Sequence, residues 1–325
     1  MHKIIVCGCG GMSNAWIEYA LNRDDCEIVG LVDINIGAAN TKKEKYNLNA
    51  NVYDSIKAAL EKENANLVFD ITVPEAHYNT VCTALKAGCH VFGEKPMSDS
   101  LENAEKMVAC ANNAQKEYFV MQNYRYSPEL HAFKSFLESG KLGNIGQISA
   151  SFQIEIHFGG FRDKMDNPLI ADMAIHTFDA ARFITGKNPV SVFCHEFNPS
   201  WSWYQGDANA VCIFEMDDGS VFDYRGSWCA KGLNTPWQST WRVSCENGAA
   251  FWDGADKLYY ETSDGKKDVT VSPLKAIGHD AGIGEMFDAI SNQTKPPTDC
   301  RDNIKSIRMV HKAIESSRMK QVVLL

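Results

Sequence analysis

A glycine-rich stretch near the start of the chain has the residue types that bind a pyrophosphate. It follows the apolar run Ile4-Ile5-Val6 and precedes residues 12–21, which can form a helix. Its members are Gly8, Gly10, Gly11 and Met12. Glycines let the backbone turn sharply and approach phosphate oxygens closely, and a helix N-terminus directs N–H groups towards them. The strand, the glycine turn and the helix together predict a phosphate-binding site.

An acidic residue supports a dinucleotide as the ligand. The apolar run 27–32 is a second candidate strand, and it ends in Asp33. A carboxylate at this place would accept hydrogen bonds from the hydroxyls of an adenosine ribose. It would also repel a 2′-phosphate, and the following Ile34 and Asn35 carry no positive charge, so we expect NAD and not NADP. The alternative is an ordinary strand, turn and helix with an aspartate on the surface.

A second group with the spacing for chemistry is Asp172, His176 and Asp179. On a helix over 169–185 these side chains fall within an arc of about 60°. An acid, a histidine and an acid so placed suit proton transfer, with one carboxylate orienting the imidazole. Two alternatives stay open. The residues are the solvated face of an amphipathic helix, or they bind a metal with a third ligand that the sequence does not identify.

Length, charge and cysteine content restrict the class of protein. A chain of 325 residues suggests about two domains, and a net charge of −9 without a basic stripe argues against nucleic-acid or anionic-membrane binding. No apolar run approaches the length of a membrane span, and a strand that begins at Lys3 leaves no room for a signal peptide. The eleven scattered cysteines predict buried thiols in a reducing cytoplasm.

Residues 1–123 alternate apolar strands with helical stretches, which is typical of a parallel sheet covered on both faces. Ligands bind at the carboxyl edge of such a sheet. Two predicted strands, 67–71 and 89–93, should end at this edge. The residues that follow them are therefore candidates for the nicotinamide side of the pocket, and they include Thr72, Pro74, Glu94 and Lys95.

Residues 124–325 form the second predicted domain. Its strands, at 147–158, 190–198, 208–216, 219–229 and 238–246 with shorter ones at 249–253, 257–262 and 268–272, predict a large, mostly antiparallel sheet. Helices are predicted at 127–139, 169–185, 279–292 and 300–319. Strand 208–216 is apolar on both faces. We therefore expect a second copy of the chain to cover one face, in a homodimer or homotetramer.

Three segments together resemble the Gfo/Idh/MocA family, named after glucose–fructose oxidoreductase and inositol dehydrogenase. They are GCGGMSNAW at 8–16, GEKPMS at 93–98 and NPLIADMAIHTFDAARFITG at 167–186. The resemblance implies an α/β protein with an N-terminal Rossmann domain and a C-terminal α+β domain carrying a large open-faced, mostly antiparallel sheet. It also implies hydride transfer between NAD(P) and a secondary alcohol of a sugar, a glycoside or an inositol.

The resemblance also implies roles for single residues. Lys95 matches the family's catalytic lysine, and Asp172 and His176 match its acid and its histidine, so we expect these three to act in one site. No metal is expected. The residues expected to bind the cofactor are Gly8, Gly10, Gly11, Met12, Asp33, Thr72, Pro74, His77, Glu94, Lys95 and Gln122.

Six residues are weaker candidates for binding the substrate, which we expect to be a small-molecule polyol or sugar. They are Arg125, Glu155, His157, Asp172, Trp203 and Trp237. Their alternatives are a structural role for Arg125, a plain polar strand face for Glu155 and His157, and an oligomer interface for the tryptophans. Two other functions remain open for the chain: a redox glycosidase that uses NAD transiently, and a non-catalytic dinucleotide sensor.

Overall fold

The computed structural model of the protein describes residues 1–296 and 298–325. The chain folds into two compact units. The first comprises Met1–Asn123 and Ala276–Ile307, and the second comprises Tyr124–Lys275 and Arg308–Leu325. The first unit therefore differs from the predicted domain 1–123 by including a segment from the C-terminal part of the chain.

A parallel sheet forms the centre of the first unit. Its strands are β1 (His2–Cys7), β2 (Cys26–Val32), β3 (Asn51–Tyr53), β4 (Leu67–Asp70), β5 (His90–Gly93) and β6 (Tyr118–Val120). The helices that alternate with them are α1 (Ser13–Leu21), α2 (Ile36–Lys45), α3 (Ile56–Lys62), α4 (Pro74–Lys86) and α5 (Leu101–Ala114). The strand order is β3-β2-β1-β4-β5-β6. This confirms the predicted Rossmann-type sheet.

The second unit contains a nine-stranded sheet. Its strands are β7 (Ile145–Gln153), β8 (Pro189–Phe197), β9 (Asn209–Met216), β10 (Val221–Ser227), β11 (Thr240–Cys245), β12 (Gly248–Trp252), β13 (Leu258–Thr262), β14 (Gly265–Asp268) and β15 (Val323–Leu324). Their order is β14-β13-β12-β11-β7-β10-β9-β8-β15. Strands β7 and β10 are parallel and the other neighbours are antiparallel, which confirms the predicted sheet type.

Helices α6 (Pro128–Glu138) and α7 (Ile175–Thr185) belong to the second unit. Phe178 of α7 contacts the rings of Phe214, Phe222 and Tyr224, so this helix packs on β9 and β10. A π-helical turn, Leu169–Ala174, precedes α7, and Gly186 ends the helix in a left-handed conformation. The predicted helix over 169–185 is thus confirmed, with a wider first turn.

Several observed strands differ from the predicted ones at their ends. Strand β7 ends at Gln153 and not at residue 158. Beyond it the regular ladder with β10 gives way to a single antiparallel bridge between Glu155 and Cys229. Beyond this point the chain passes through Gly159 and Gly160, both at positive φ. The last predicted strand, 268–272, is observed as β14 at Gly265–Asp268, paired with β13.

The returning segment contains helix α8 (Gly278–Asn292) and the start of α9 (Cys300–Met319). Ile283, Met286 and Phe287 on α8 are fully buried in the core of the first unit. The Phe287 ring meets the edges of Phe69 on β4 and Phe92 on β5. The prediction that 124–325 folds as one domain is therefore corrected for 276–307, since the apolar face of α8 packs in the first unit.

Two further features concern cysteines and membrane segments. All eleven cysteines are thiols, and most of them are buried, as expected from their places in apolar elements. No helix within residues 1–296 and 298–325 is long and apolar enough to cross a membrane.

Candidate active site

The glycine turn connects β1 to α1. Gly8 has a left-handed backbone with φ of +88°, and a Cβ there would lie 2.3 Å from the carbonyl oxygen of Ile71, so only glycine fits. At Gly10 and Gly11 none of the described atoms lies within 4 Å of the position that a Cβ would take. Ser13 donates its hydroxyl proton to the Gly10 carbonyl at 2.7 Å and closes the turn. The turn thus presents open backbone, as a phosphate site requires.

Two backbone N–H groups fix the Asp33 carboxylate, which follows β2. Its Oδ2 accepts a hydrogen bond from the Cys9 N–H and its Oδ1 accepts one from the Asn35 N–H, both at 2.8 Å. A carboxylate can accept about four hydrogen bonds in all, and Asp33 is only half-buried. It therefore keeps acceptor capacity for ligand hydroxyls, as the predicted ribose contact requires.

A buried ionic pair lies at the end of β4. The Asp70 carboxylate is fully buried; its Oδ2 lies 2.8 Å from Nδ1 of His77, and its Oδ1 accepts the Thr72 hydroxyl at 2.6 Å. Burial disfavours a charged imidazole, but the charge of Asp70 and its hydrogen bond outweigh burial and raise the pKa of His77. Thr72 and His77 are thus held in place on Asp70, and Pro74 begins α4 beside them.

Glu94 and Lys95 follow β5 directly. The Glu94 carboxylate is buried and accepts hydrogen bonds from the Trp16 indole, the His279 imidazole and the Lys95 backbone N–H. Gln122, two residues beyond β6, is 1% exposed, and neither atom of its amide has a hydrogen-bond partner among the described residues. A buried amide without partners is rare.

These residues of the first unit fit a nicotinamide dinucleotide. The glycine turn offers open backbone for the phosphates, Asp33 offers acceptors for a ribose, and Gln122 offers a donor and an acceptor that a carboxamide would satisfy. All of them lie at the carboxyl ends of parallel strands, where open α/β sheets bind their ligands.

The second candidate group lies in the second unit. His176 is 5% exposed, and its ring stacks on Tyr124 with the centroids 4.1 Å apart and the planes inclined by 20°. Asp179 is also buried, and its carboxylate accepts two hydrogen bonds from the Arg125 guanidinium, at 2.6 and 2.7 Å. Such a bidentate pair fixes a turn of helix firmly. Since His176 and Asp179 are both buried, the solvated-face interpretation of this helix is wrong.

Asp172 lies in the π-helical turn that precedes α7. Its Oδ2 accepts a hydrogen bond from Nε of Arg162 at 2.6 Å, and the guanidinium also lies over the rings of Phe158 and Phe161. Turns of this kind are frequent at functional sites. In the part of the chain that the structure describes, no three His, Cys, Asp or Glu residues are arranged to hold a metal.

The sequence-predicted substrate residues also lie in the second unit. Because Asp179 engages the Arg125 guanidinium, the geometry favours a structural role for that arginine. Glu155 is exposed beyond the end of β7. His157 is hydrogen-bonded through Nε2 to Asp163 at 2.8 Å. These residues are thus separate groups and not one strand face, because β7 ends before them.

The aromatic candidates differ in exposure. The Trp203 ring lies 5.2 Å from the His157 ring, and its indole nitrogen is buried. Trp237 is half-exposed beside Phe152 and Phe158, with ring centroids 6.1 and 6.2 Å away. An exposed ring face of this kind can pack against the C–H surface of a sugar.

Sequence reasoning missed four residues that contact the candidates. They are Trp16 and His279 on Glu94, Tyr124 on His176, and Arg162 on Asp172. Two of them carried a signal: Trp16 ends the GCGGMSNAW segment, and Tyr124 lies in the Gln122–Tyr126 stretch that follows the last strand of the first sheet. The others come from distant or irregular segments with no motif.

Comparison with known proteins decides the family. Residues 2–122 match the profile described as "Oxidoreductase family, NAD-binding Rossmann fold", and residues 130–251 match the "GFO/IDH/MocA C-terminal domain". The chain belongs to the Gfo/Idh/MocA family. Its first domain is thus an NAD-binding Rossmann domain, as the resemblance implied.

Curated relatives in this family act on sugars by name. The chain is 30% identical to D-glucoside 3-dehydrogenase of Escherichia coli over 203 residues, which cover 60% of the chain and 57% of that protein. It is 22% identical to D-apiose dehydrogenase of Paraburkholderia graminis, with 99% and 89% covered. Both relatives are oxidoreductases, so the comparison supports oxidoreductase activity in this family.

A solved structure with the same fold is an oxidoreductase from Agrobacterium radiobacter in complex with NAD+, L-tartaric acid and magnesium. The TM-score is 0.90 at 20% identity, over 99% of this chain and 98% of that one. At this identity the likeness bears on the fold alone.

The glycine turn generates a prediction with a matched control. Gly8→Ala should lower the free energy of unfolding by about 2 kcal/mol or more, because it forces a left-handed Cβ into the Ile71 carbonyl. Gly10→Ala should leave stability within about 1 kcal/mol and weaken NAD binding by about tenfold or more, because its Cβ would obstruct only the ligand. Urea unfolding and calorimetric NAD titration measure both. Equal stability of the two variants would contradict the assignment.

Proposed function

We propose that the protein is an NAD-dependent dehydrogenase acting on a secondary alcohol of a sugar, a glycoside or an inositol. The observation that carries this proposal is that the open glycine turn after β1 and Lys95 after β5 lie at the same carboxyl edge of one parallel sheet. Asp172 and His176 on the buried helix of the second unit support it. The substrate class is supported by the names of two relatives, a D-glucoside 3-dehydrogenase and a D-apiose dehydrogenase.

Oxidation of the alcohol requires the removal of a hydride and of a proton, and we assign these two steps to different groups. Bound NAD would accept the hydride. Lys95 and His176 handle the hydroxyl proton: one takes it from the substrate, and the other shares or relays it. Asp172 binds a substrate hydroxyl, and Arg162 holds its carboxylate in one orientation at 2.6 Å.

Side chains of the second unit suit a polyhydroxylated ring. Trp237 offers a half-exposed aromatic face, and His157 with Asp163 offers polar atoms. Groups that match hydroxyls discriminate strongly against analogues that lack them. A simple aliphatic alcohol would leave both the aromatic face and the polar atoms unused.

Lys95→Ala should test the catalytic proposal. We expect turnover to fall by roughly 10²–10⁴-fold, the usual contribution of a positioned acid–base group, while the Kd for NAD changes little. Lys106→Ala is the control, because this lysine is exposed on α5. The assay is a screen of pyranoses, glycosides and inositols with NAD, followed at the nicotinamide absorbance.

Three results of this screen would contradict the proposal. Near-normal turnover in Lys95→Ala would remove the assigned role of that lysine. Sugar release from glycosides without accumulation of NADH would indicate a redox glycosidase. NAD binding without turnover of any compound in the screen would indicate a sensor.

The preference for NAD should depend on Asp33. The double variant Asp33→Gly with Ile34→Arg removes a repelling carboxylate and adds a guanidinium for a 2′-phosphate; Ile34 is 95% exposed, so the change disturbs no packing. We expect the ratio of kcat/KM for NADP over NAD to rise by about tenfold or more. Ile34→Gln with Asp33→Gly is the uncharged control. Equal efficiency of the natural chain with both cofactors would refute the preference.

The second sheet should mediate self-association. Val211 and Ile213 on β9 and Phe193 and Phe197 on β8 are each 41–47% exposed on one face of the sheet. A symmetric assembly would bury such a face. Light scattering should therefore give a molar mass that is a multiple of the 36.2 kDa of one chain. In Ile213→Glu the molar mass should fall to that of a single chain. Leu233→Glu, in an exposed loop, is the control, and a monomeric natural chain would overturn the idea.

A further inference from the structure

Two buried carboxylates lie at the ends of neighbouring strands, and each meets an imidazole. Asp70, at the end of β4, pairs with His77 on the helix that follows. Glu94, directly after β5, pairs with His279 at 3.1 Å. His279 lies in the first turn of α8, in the segment that returns to the first unit. The predicted active-site residue Lys95 is therefore adjacent in sequence to a carboxylate whose imidazole partner comes from far along the chain.

Three donors hold the Glu94 carboxylate. Oε1 accepts hydrogen bonds from Nε1 of Trp16 at 2.8 Å and from Nε2 of His279 at 3.1 Å, and Oε2 accepts one from the Lys95 backbone N–H at 3.2 Å. Trp16 is fully buried on α1, the helix that begins at the glycine turn. The Glu94 backbone N–H donates in turn to the Asp70 carbonyl at 2.9 Å. One side chain thus links α1, α8 and the Lys95 backbone.

The charge on Glu94 depends on these partners. Burial is the largest influence and favours the protonated acid, but the hydrogen bond and the charge of His279, followed by Trp16 and Lys95, outweigh it and lower the pKa of Glu94. His77 also responds to Glu94, because the charge of this carboxylate contributes to the raised pKa of His77. Burial is the largest single influence on the pKa of Glu94 and raises it, while His279 lowers it most. Loss of His279 would therefore favour the protonated acid.

We infer that His279 is a positioning residue for Lys95: it holds the Glu94 carboxylate in place at 3.1 Å, and Glu94 in turn accepts a hydrogen bond from the Lys95 backbone N–H. This inference rests on the proposed catalytic role of Lys95. It gives the returning segment a part in the chemistry of the first unit, in addition to its apolar packing.

Protonation of Glu94 would loosen this arrangement. A carboxylic acid carries a proton on one oxygen, so it accepts fewer hydrogen bonds than a carboxylate and must itself donate one. The protonated oxygen becomes a much weaker acceptor, so the N–H contact or contacts on that oxygen would weaken. Because the pKa of Glu94 is lowered, the contacts are present above it and are lost as the pH falls through it. Without His279 this loss should begin closer to neutral pH.

The test compares His279→Ala with His279→Gln, whose amide N–H can replace the imidazole donor. Asp280→Ala is the control, since its side chain is exposed next to His279 on the same helix. We expect kcat at pH 7 to fall by about tenfold in His279→Ala. The acid limb of its kcat–pH profile should also move upward by about one pH unit or more. The KM for the sugar should change less than kcat, and His279→Gln should recover most of the loss.

A second readout does not depend on catalysis. In protein labelled with 15N-tryptophan, the indole N–H resonance of Trp16, assigned through Trp16→Phe, reports on the Glu94 oxygen to which it donates. We expect this resonance to titrate near neutral pH in His279→Ala, and to stay constant there in His279→Gln, whose amide does not titrate. A chain without dehydrogenase activity would contradict the proposed function, while the resonance would still test the His279–Glu94 pair.

Two results would overturn the inference. One is a Trp16 resonance in His279→Ala that matches the natural chain at every pH. The other is a Trp16 resonance that titrates as expected while kcat and its pH profile are unchanged, because His279 would then set the charge of Glu94 without positioning Lys95. If His279→Ala does not fold, Glu94→Gln supplies the same comparison: it should lower kcat and make the Trp16 resonance independent of pH.

Discussion

Carboxylates at the carboxyl edge of the parallel sheet impose the main constraint on the first unit. Asp33 and Glu94 directly follow β2 and β5, and Asp70 is the last residue of β4. Asp70 and Glu94 are buried, where an unpaired charge would be very costly. Asp33 is held by two backbone N–H groups, Asp70 by His77 and a threonine hydroxyl, and Glu94 by His279, an indole and a backbone N–H. The edge that binds ligands is therefore rigid because its charges need fixed donors.

In the second unit, the candidate carboxylates are also held by hydrogen-bond donors. Arg125 holds Asp179 in a buried bidentate pair, and Arg162 holds Asp172 at the π-helical turn. The His176 ring stacks on the ring of Tyr124. A buried ion pair is costly to break because one charge is then left without a partner. Such pairs give the acids of this helix one orientation each.

The segment 276–307 contributes both to the core of the first unit and to the partners of Glu94. Its helix contributes Phe287 to the core of the first unit and His279 to the Glu94 carboxylate. Apolar packing and the contact of His279 with Glu94 thus come from the same helix, so the position of the helix fixes the position of the imidazole. A change in the packing of α8 would therefore alter the environment of Glu94, although the two lie far apart in sequence.

The sequence by itself determined the parallel sheet, the glycine turn, Asp33 and the second sheet type, because these depend on local periodicity and on glycine conformation. It also marked Lys95, Asp172 and His176, through short motifs. Tertiary structure alone decided which side chains meet them. The amphipathic pattern of 279–292 shows that one helix face is buried, but not against which sheet. Likewise, hydrogen-bond partners from distant segments leave no local pattern.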